Sequence, residues 1–355
     1  MRLVNFFGSC ATTFLLVSCG GSGGGGAGGS NTINLPTTNR VTSNAFDCDE
    51  DAQTVLAQKV APFVFQPADA QFAVPQNSNV GFSIEAMRTE IDGISETLNV
   101  VIYMKNGGVA LRGIAIIAHG HSPAYEKAPA VVLGAENYAI AYPFLQKGFV
   151  PIVVARRGNF GSSGGRLIDF GANGMLSDYS KGLIDYSVLA RTATEYQAAS
   201  ITAVLDSLKN DVRFKSILNQ IIVVGTSGGA PTVLQFAADS QIFRNAKFKA
   251  VARVTGYDTA LDINPDAAQG ARKYMFELAK KVDVPSFWLG GTDDPITSFG
   301  KLACEYKFYS EGNTSNKSVF LGSPGFGHGP DLALFSDSIY PLFKKYLEGV
   351  GFTQF

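Results

Sequence analysis

The chain has few of the side chains that hold metal ions or nucleic acids. It contains three histidines and four cysteines among 355 residues, and no His or Cys cluster has metal-ligand spacing, so no metal or other cofactor is expected. Charged residues make up 17%, and the net charge is −1. A concentrated basic face for nucleic acid is therefore excluded. Hydrophobic residues reach 46%, which is enough for a substantial core and unlike a disordered chain.

A long hydrophobic run is also missing. The apolar stretch Phe6–Val17 follows Arg2 and is too short to span a bilayer, so it is typical of a cleaved signal peptide. It ends in Leu16-Val17-Ser18-Cys19, which resembles the lipobox of bacterial lipoproteins. The resemblance implies that Cys19 is diacylated, with a fatty acid such as palmitate, and becomes the mature N-terminus. The alternative is an ordinary signal peptide that contains a cysteine.

The residues after Cys19 have the composition of a tether. Residues 20–30 are almost entirely glycine, and residues 31–43 are polar without periodicity. We therefore expect a signal peptide over residues 1–18, a flexible tether over 19–47 and one folded domain over 48–355. The protein is expected to be exported and held by its lipid on the bacterial cell envelope. It would face the periplasm or the cell surface, on the outer membrane where one exists.

The remaining cysteines leave two possibilities open. Once Cys10 is removed with the signal peptide and Cys19 is acylated, Cys48 and Cys304 are left. In an oxidising compartment they form either a disulfide or two free thiols, because the sequence does not place them near each other.

The folded part alternates between apolar runs and helix-length amphipathic stretches. The runs Phe82–Arg88 and Leu98–Lys105, on either side of Asp92-Gly93, predict an antiparallel strand pair. Further strands are predicted at Gly113–Ala118, Pro151–Ala155, Gln220–Val224, Ala250–Val254, Pro285–Leu289 and Ser318–Leu321. Helices are predicted at Ala135–Gln146, Val188–Leu208, Ala230–Ala238, Ala267–Lys280, Ser298–Tyr309 and Leu332–Leu347. Such alternation predicts an α/β protein with a mostly parallel, doubly wound sheet and an antiparallel N-terminal strand pair.

One serine stands in the context of a nucleophile elbow. The pattern Gly-x-Ser-x-Gly occurs three times, with its serine at residues 22, 163 and 227. Only Ser227 directly follows a buried-strand signal, Ile221–Val224, and directly precedes a helix, which begins near Ala230. Ser227 is therefore the candidate nucleophile. Ser163 lies several residues beyond its strand and is expected to belong to a structural turn.

The candidate base is His328, in the segment Pro324–Gly329 between the last strand and the last helix. His119 directly follows a strand and is assigned another role. The candidate acid is Asp294 in Gly291-Thr292-Asp293-Asp294-Pro295, where the turn points a carboxylate inward. Asp293 is the second choice, and Asp258 is a weaker one.

Two backbone amides are needed to stabilise an oxyanion. The amide of Gly228, directly after the nucleophile, is one candidate donor. The other is expected from the loop Ala118-His119-Gly120-His121-Ser122, from His121 in the first place and otherwise from Ser122. A simple turn at the end of the strand is the alternative for this loop.

These segments together resemble the α/β-hydrolase superfamily. They are Ile116–Gly120, the run Arg156–Gly164, the Ser227 elbow, the Asp294 turn and the His328 loop. The resemblance is closest to the dienelactone-hydrolase-like and prolyl-oligopeptidase-like branches, and it covers roughly residue 82 to the C-terminus. It implies that the Arg156–Gly164 run is mainly structural. Dienelactone hydrolases proper use a cysteine nucleophile, so that activity is not carried over.

The expected activity is hydrolysis of a small carboxylic ester through an acyl-enzyme formed on Ser227. The fold itself does not choose between esters and amides. The short segment between Val254 and Pro285 leaves little room for a large lid, and no gating domain precedes the catalytic part. A peptidase or amidase of the same fold is one alternative. A catalytically silent, surface-anchored binding protein is the other.

Overall fold

The computed structural model describes residues 58–62, 68, 72–73, 80–105, 111–120, 127–164, 186–256, 265–296, 298–313, 317–328, 331–353 and 355. The predicted signal peptide, Cys19 and the predicted tether lie outside the described residues. So do His121, Ser122, Asp258 and Cys48.

Within the described residues, one nine-stranded sheet forms the centre of the fold. Its strands are β1 (Gln58–Lys59), β2 (Val80–Ile91), β3 (Ile94–Lys105), β4 (Gly113–Ala118), β5 (Phe149–Val154), β6 (Gln220–Thr226), β7 (Phe248–Val254), β8 (Ser286–Gly291) and β9 (Val319–Ser323). They lie in the order β1-β9-β8-β7-β6-β4-β5-β3-β2. β3 is antiparallel to both β2 and β5, and the other neighbouring strands are parallel. The predicted fold class, a mostly parallel sheet with an antiparallel N-terminal pair, is confirmed.

The hairpin of β2 and β3 is longer than the sequence pattern predicted. Each strand has 12 residues, and the two-residue turn between them is Asp92-Gly93. Both turn residues have positive φ, 55° and 75°, which matches the right-handed twist of a hairpin. Exposed side chains alternate with covered ones along β2 from Ile84 to Glu90. Charged residues on the exposed face therefore interrupt the apolar run without ending the strand.

The parallel strands are buried on both faces. Every residue of β4, β5 and β8 is buried, as expected for strands covered by helices on both sides. β4 has the predicted bounds, and the predicted ends of the other parallel strands are within two residues of the observed ones. The apolar runs therefore located the sheet well.

Helices cover the two faces of the sheet. In chain order they are α1 (Ala130–Glu136), α2 (Tyr138–Gln146), α3 (Tyr186–Leu208), α4 (Ala230–Asp239), α5 (Gln241–Asn245), α6 (Pro265–Lys281), α7 (Phe299–Gly312) and α8 (Tyr340–Gly349). α3, α4, α6 and α7 contribute to one hydrophobic core. α1, α2 and α8 contribute to the core on the opposite face. No helix in the described part of the chain is long and apolar enough to cross a bilayer.

Two predicted helices are wrong in detail. The predicted helix Ala135–Gln146 is two helices, α1 and α2, divided at Asn137, whose side chain donates to the Leu133 carbonyl at 2.9 Å. The predicted helix Leu332–Leu347 is a 3₁₀ turn (Asp331–Phe335) followed by α8, which has a proline in its first turn. Proline lacks an amide hydrogen and fits the start of a helix better than its interior. β1 and α5 were not predicted, because they are too short to give a periodic signal.

The polarity of the sheet separates its two ends. The loops after β4, β6, β8 and β9 leave from the carboxyl ends of parallel strands and meet at one edge. The connection from α3 to β6 is at the opposite, amino end. Val212 in this connection is 90% exposed.

Candidate active site

Ser227 stands in a sharp turn between β6 and α4. It has a positive φ of 49°, which is uncommon for a residue with a side chain. Residues Ser227–Gly229 form a single 3₁₀ turn, and α4 begins at Ala230 with a proline in its first turn. The predicted strand–turn–helix context of Ser227 is therefore present.

Close backbone contacts explain the glycines beside Ser227. A Cβ added to Gly225 would lie 2.4 Å from the Gly229 carbonyl oxygen, and one added to Gly229 would lie 2.2 Å from the Ala118 carbonyl oxygen. No side chain fits at either position. Small residues therefore let α4 start directly against the ends of β4 and β6.

The structure brings Ser227, His328 and Asp294 together. His328 Nε2 lies 3.0 Å from Ser227 Oγ, and His328 Nδ1 lies 3.0 Å from Asp294 Oδ2. The Asp294 side chain is 1% exposed and that of His328 is 16% exposed. With Nδ1–H donating to the carboxylate, Nε2 is left to accept the Ser227 hydroxyl proton. This is the geometry that a nucleophile, a base and an orienting acid require.

The loops that carry Asp294 and His328 lie against each other. A Cβ added to Gly291, at the end of β8, would lie 1.6 Å from the Phe326 carbonyl oxygen. Only glycine therefore allows the His328 loop to come this close to β8. The second oxygen of Asp294, Oδ1, accepts a hydrogen bond from the Ile296 amide at 2.8 Å. The carboxylate is thus held on both oxygens.

Asp293, the second choice for the acid, has a different set of contacts. Its side chain is exposed, Oδ2 accepts from the Gly325 amide at 2.6 Å, and Oδ1 accepts from the Thr292 hydroxyl at 3.2 Å. Asp294, not Asp293, contacts the His328 ring. Asp258 lies outside the described residues.

Of the candidate oxyanion donors, Gly228 directly follows Ser227 and is half-buried. His121 lies outside the described residues, but the loop that leads to it approaches the nucleophile. A Cβ added to Gly120 would lie 3.3 Å from Ser227 Cβ and 3.7 Å from Ser227 Oγ. The Gly120 backbone therefore runs close beside Ser227, where an added Cβ would make a tight contact with the nucleophile's side chain.

His119 is part of the support of this loop. Its ring is buried, packs edge-on against Phe160 with centroids 5.1 Å apart, and has Nδ1 2.7 Å from the Gly120 carbonyl oxygen. The separate role expected for His119 is thus packing and bracing of the turn after β4.

Ser163 and its neighbour hold a turn against β3. Ser163 Oγ accepts from the Thr97 amide at 2.7 Å, and the Ser163 amide donates to the Thr97 carbonyl at 2.8 Å. Ser162 Oγ accepts from the Asn99 amide and donates to the Ala155 carbonyl, both at 2.9 Å. The structural interpretation of this second Gly-x-Ser-x-Gly copy is consistent with these bonds.

Arg156 contacts both loops that border Ser227, although the resemblance implied only a mainly structural role for the Arg156–Gly164 run. It follows β5, is 1% exposed, and donates to the carbonyl oxygens of Gly120 at 2.7 Å and Gly228 at 3.0 Å. Its partners on α3, α4 and two loops are distant from it along the chain, so no local pattern marked it.

Among the described residues, no group of three or more His, Cys, Asp or Glu side chains is arranged to hold a metal ion. A cavity of about 830 Å³ lies between the β2–β3 hairpin and α3, and acidic residues line much of it. None of Ser227, Asp294 and His328 lines this cavity. The cavity is therefore separate from these three residues.

No family model matches the sequence, and no curated protein matches it significantly. Similar solved structures include the esterase Pf2001 from Pyrococcus furiosus, at 13% identity, with 83% of this chain and 97% of that chain covered and a TM-score of 0.45. A cold-adapted esterase from an Arctic intertidal metagenomic library is 14% identical, with coverages of 78% and 97% and a TM-score of 0.46. Est1E from Butyrivibrio proteoclasticus is 15% identical, with coverages of 74% and 96% and a TM-score of 0.45. At such identities the function has to be argued from the site.

Proposed function

We propose that the chain is an exported, lipid-anchored serine hydrolase that cleaves small carboxylic esters through an acyl-enzyme. One observation carries the proposal: Ser227, His328 and Asp294 form a continuous series of two 3.0 Å contacts in the α/β-hydrolase fold. A structural serine in a glycine-rich turn would not need a histidine beside its hydroxyl, nor a buried carboxylate behind that histidine.

The reaction begins with attack on the ester carbonyl. His328 Nε2 takes the Ser227 proton as Oγ forms its bond to the carbonyl carbon, and Asp294 stabilises the imidazolium. The amides of Gly228 and His121 stabilise the oxyanion. His328 then protonates the departing alcohol, which leaves an acyl group on Ser227. Water, deprotonated by His328, releases the acid and restores Ser227.

Exposure of the site supports a small ester as the substrate. Ser227 is half-buried and His328 is 16% exposed, so an ester at the protein surface reaches both. A catalytically silent binding protein would not need to keep Ser227, His328 and Asp294 within hydrogen-bond distance of one another. A peptidase or amidase uses the same arrangement and is separated from an esterase by substrate profiling.

The test is labelling of the folded domain with a fluorophosphonate, which reacts with activated serines. We expect the wild type to be labelled and to hydrolyse short-chain aryl esters, and Ser227→Ala to do neither. Ser163→Ala is the matched control, since it removes a serine from the same sequence pattern; it should keep labelling. A folded wild type that stays unlabelled would overturn the proposal and favour the binding protein. Amide turnover that exceeds ester turnover would favour the peptidase.

The lipid anchor is proposed from the sequence alone, and its test is separate. Cells fed labelled palmitate should incorporate it into the wild type and into Cys10→Ala, but not into Cys19→Ala. The Cys19→Ala protein should also leave the membrane fraction. Palmitate on Cys19→Ala would contradict the anchor. So would the absence of palmitate from both the wild type and Cys10→Ala.

A further inference from the structure

Arg156 connects the two backbone segments that border the nucleophile. Its guanidinium Nη2 donates to the carbonyl oxygens of His119 and Gly120, each at 2.7 Å, on the loop after β4. Its Nη1 donates to the carbonyl oxygen of Gly228 at 3.0 Å, on the elbow after Ser227. One rigid, planar group therefore fixes the positions of both segments relative to each other.

The guanidinium of Arg156 is also held in place by side chains of α3 and α4. Arg156 Nη1 donates to Gln197 Oε1 on α3, and Thr232 Oγ1 on α4 lies 3.0 Å from the same oxygen. Arg156, Gln197 and Thr232 are all buried. The side chain consequently has little freedom to change rotamer, and its orientation is set by two helices on one face of the sheet.

The carbonyl that Arg156 binds on the β4 loop belongs to a peptide group of special importance. The Gly120 carbonyl shares its peptide with the amide hydrogen of residue 121, and in a trans peptide the two point in opposite directions. A cation that polarises the Gly120 carbonyl therefore strengthens the amide of the same peptide as a donor. At the elbow the effect is positional: Arg156 holds the turn through the Gly228 carbonyl, whose peptide contains the Gly229 amide, and so fixes the backbone directly after Ser227.

We propose that Arg156 is a positioning residue for the oxyanion hole. It sets the spacing between the Gly120 loop and the Gly228 turn, and its charge strengthens the donor expected from the Gly120 loop as the oxyanion forms. The inference rests on the proposed function, because it assigns Arg156 a part in the attack by Ser227. A donor network that is aligned in advance lowers the barrier without improving binding of the ground-state ester.

The variants Arg156→Met and Arg156→Lys test this role. Methionine removes the charge and all donors, and kcat should fall by about 10²–10³, the effect of losing one oxyanion donor, while KM changes only a few-fold. Lysine keeps the charge but cannot bind three carbonyls as a planar fork. It should therefore recover part of the lost kcat, and it supplies a second variant if methionine prevents folding.

The affinity for a boronic acid separates a specific effect on the oxyanion position from a general loss of structure. It forms a tetrahedral adduct with an activated serine, and its oxygen occupies the oxyanion position. Its affinity should fall in proportion to kcat across the wild type, Arg156→Lys and Arg156→Met. The affinity for the uncharged alcohol product, which makes no contact as an oxyanion, should stay the same.

Arg157 is the matched control. It is equally buried, but it binds Glu96 at 3.0 Å, lies 3.6 Å from Asp92, and stacks on Tyr196. Arg157→Met should lower thermal stability and leave kcat and boronate affinity close to the wild type.

Three outcomes separate the inference from the proposed function. An inert, folded wild type overturns the proposed function and the inference with it. If the wild type is active and the Arg156 variants keep the wild-type kcat, with or without a raised KM, only the inference is overturned. Equal losses of kcat in Arg156→Met and Arg157→Met would also overturn it, because they would reveal a purely structural effect.

Discussion

The Asp293 carboxylate accepts a 2.6 Å hydrogen bond from the Gly325 amide. This bond joins the loop after β8 to the loop that carries His328. The next residue, Asp294, binds His328 Nδ1 at 3.0 Å. Two adjacent carboxylates thus act on the same loop, one through its backbone and the other through its imidazole.

Replacement of the two aspartates by asparagine should give different results. In Asp294→Asn the amide no longer stabilises an imidazolium and can favour the wrong tautomer, so kcat should fall by about 10⁴. In Asp293→Asn the side chain keeps an oxygen that accepts from the Gly325 amide, so kcat should change only a few-fold. Steady-state kinetics on both variants, with circular dichroism as the folding control, measure this. Equal losses would contradict the separate roles.

Gly256 should tolerate no side chain. It has a φ of 82°, and an added Cβ would lie 2.4 Å from the Ser227 carbonyl oxygen. Gly256→Ala should therefore displace the turn that carries Ser227. Both the melting temperature and the rate at which the fluorophosphonate labels Ser227 should fall. Gly81→Ala is the control, because nothing lies within 4 Å of an added Cβ there. If Gly256→Ala labels at the wild-type rate, the close contact does not constrain the nucleophile.

The Asp211–Arg213 pair should make stability depend on pH. Arg213 donates to Asp211 at 2.6 Å and to Glu85 of β2 at 2.6 Å, and its hydrogen bonds lower the pKa of Asp211 below the ordinary 3.8. The contribution of Asp211 is thus fully present above that ordinary pKa and is lost as the pH falls through the lowered one. Asp211→Asn should be less stable by about 0.5–1 kcal/mol at neutral pH. The difference in unfolding free energy between the wild type and Asp211→Asn should narrow as the pH falls below 3.8.

Urea unfolding of the wild type and Asp211→Asn over this pH range measures the effect. Asp206→Asn is the control, since Asp206 forms an ion pair with Lys209 in which both side chains are 51% exposed. It should change stability by less than Asp211→Asn does. A difference between the wild type and Asp211→Asn that grows with acid would contradict the sign.

Cys304 should be linked to Cys48. Cys304 on α7 is disulfide-bonded, its partner lies outside the described residues, and Cys48 is the cysteine that the predicted processing leaves. Peptide mapping without reductant should therefore recover one cross-linked pair. Cys304→Ala and Cys48→Ala should each lower the free energy of unfolding by about 2–4 kcal/mol, and the double variant should lose no more. Two titratable thiols in the native protein would contradict the link.

Local patterns account for most of the fold that was predicted. The strands β4, β5, β6, β8 and β9 are mainly apolar, as expected for strands covered by helices on both faces, whereas β7 also contains Lys249 and Arg253. The prediction was wrong where one residue decides a boundary, as at Asn137 between α1 and α2. Pro341 similarly places the start of α8, although the apolar periodicity continues on both sides of it. β1, with two residues, is defined only by pairing with β9.

In the candidate site, too, local patterns indicated some residues, and contacts distant in sequence determine others. Ser227 and His328 could be chosen as candidates because each lies in a local pattern that follows a strand. Asp294 was preferred to Asp293 on turn chemistry, and the structure places its carboxylate at the His328 ring. Arg156 was expected to be mainly structural, as part of the Arg156–Gly164 run, because its partners on α3, α4 and two loops are distant in sequence. No pattern along the chain reports such contacts.

The polarity of the sheet also provides an attachment point far from the candidate site. Val212 is 90% exposed at the amino end of β6, and the seven residues of that strand put about 20 Å of extended chain between this end and Ser227. A cysteine introduced at Val212 would let the protein be coupled to a bead or carry a fluorophore. The immobilised protein would present Ser227 and His328 to the surrounding liquid, with its turnover number unchanged.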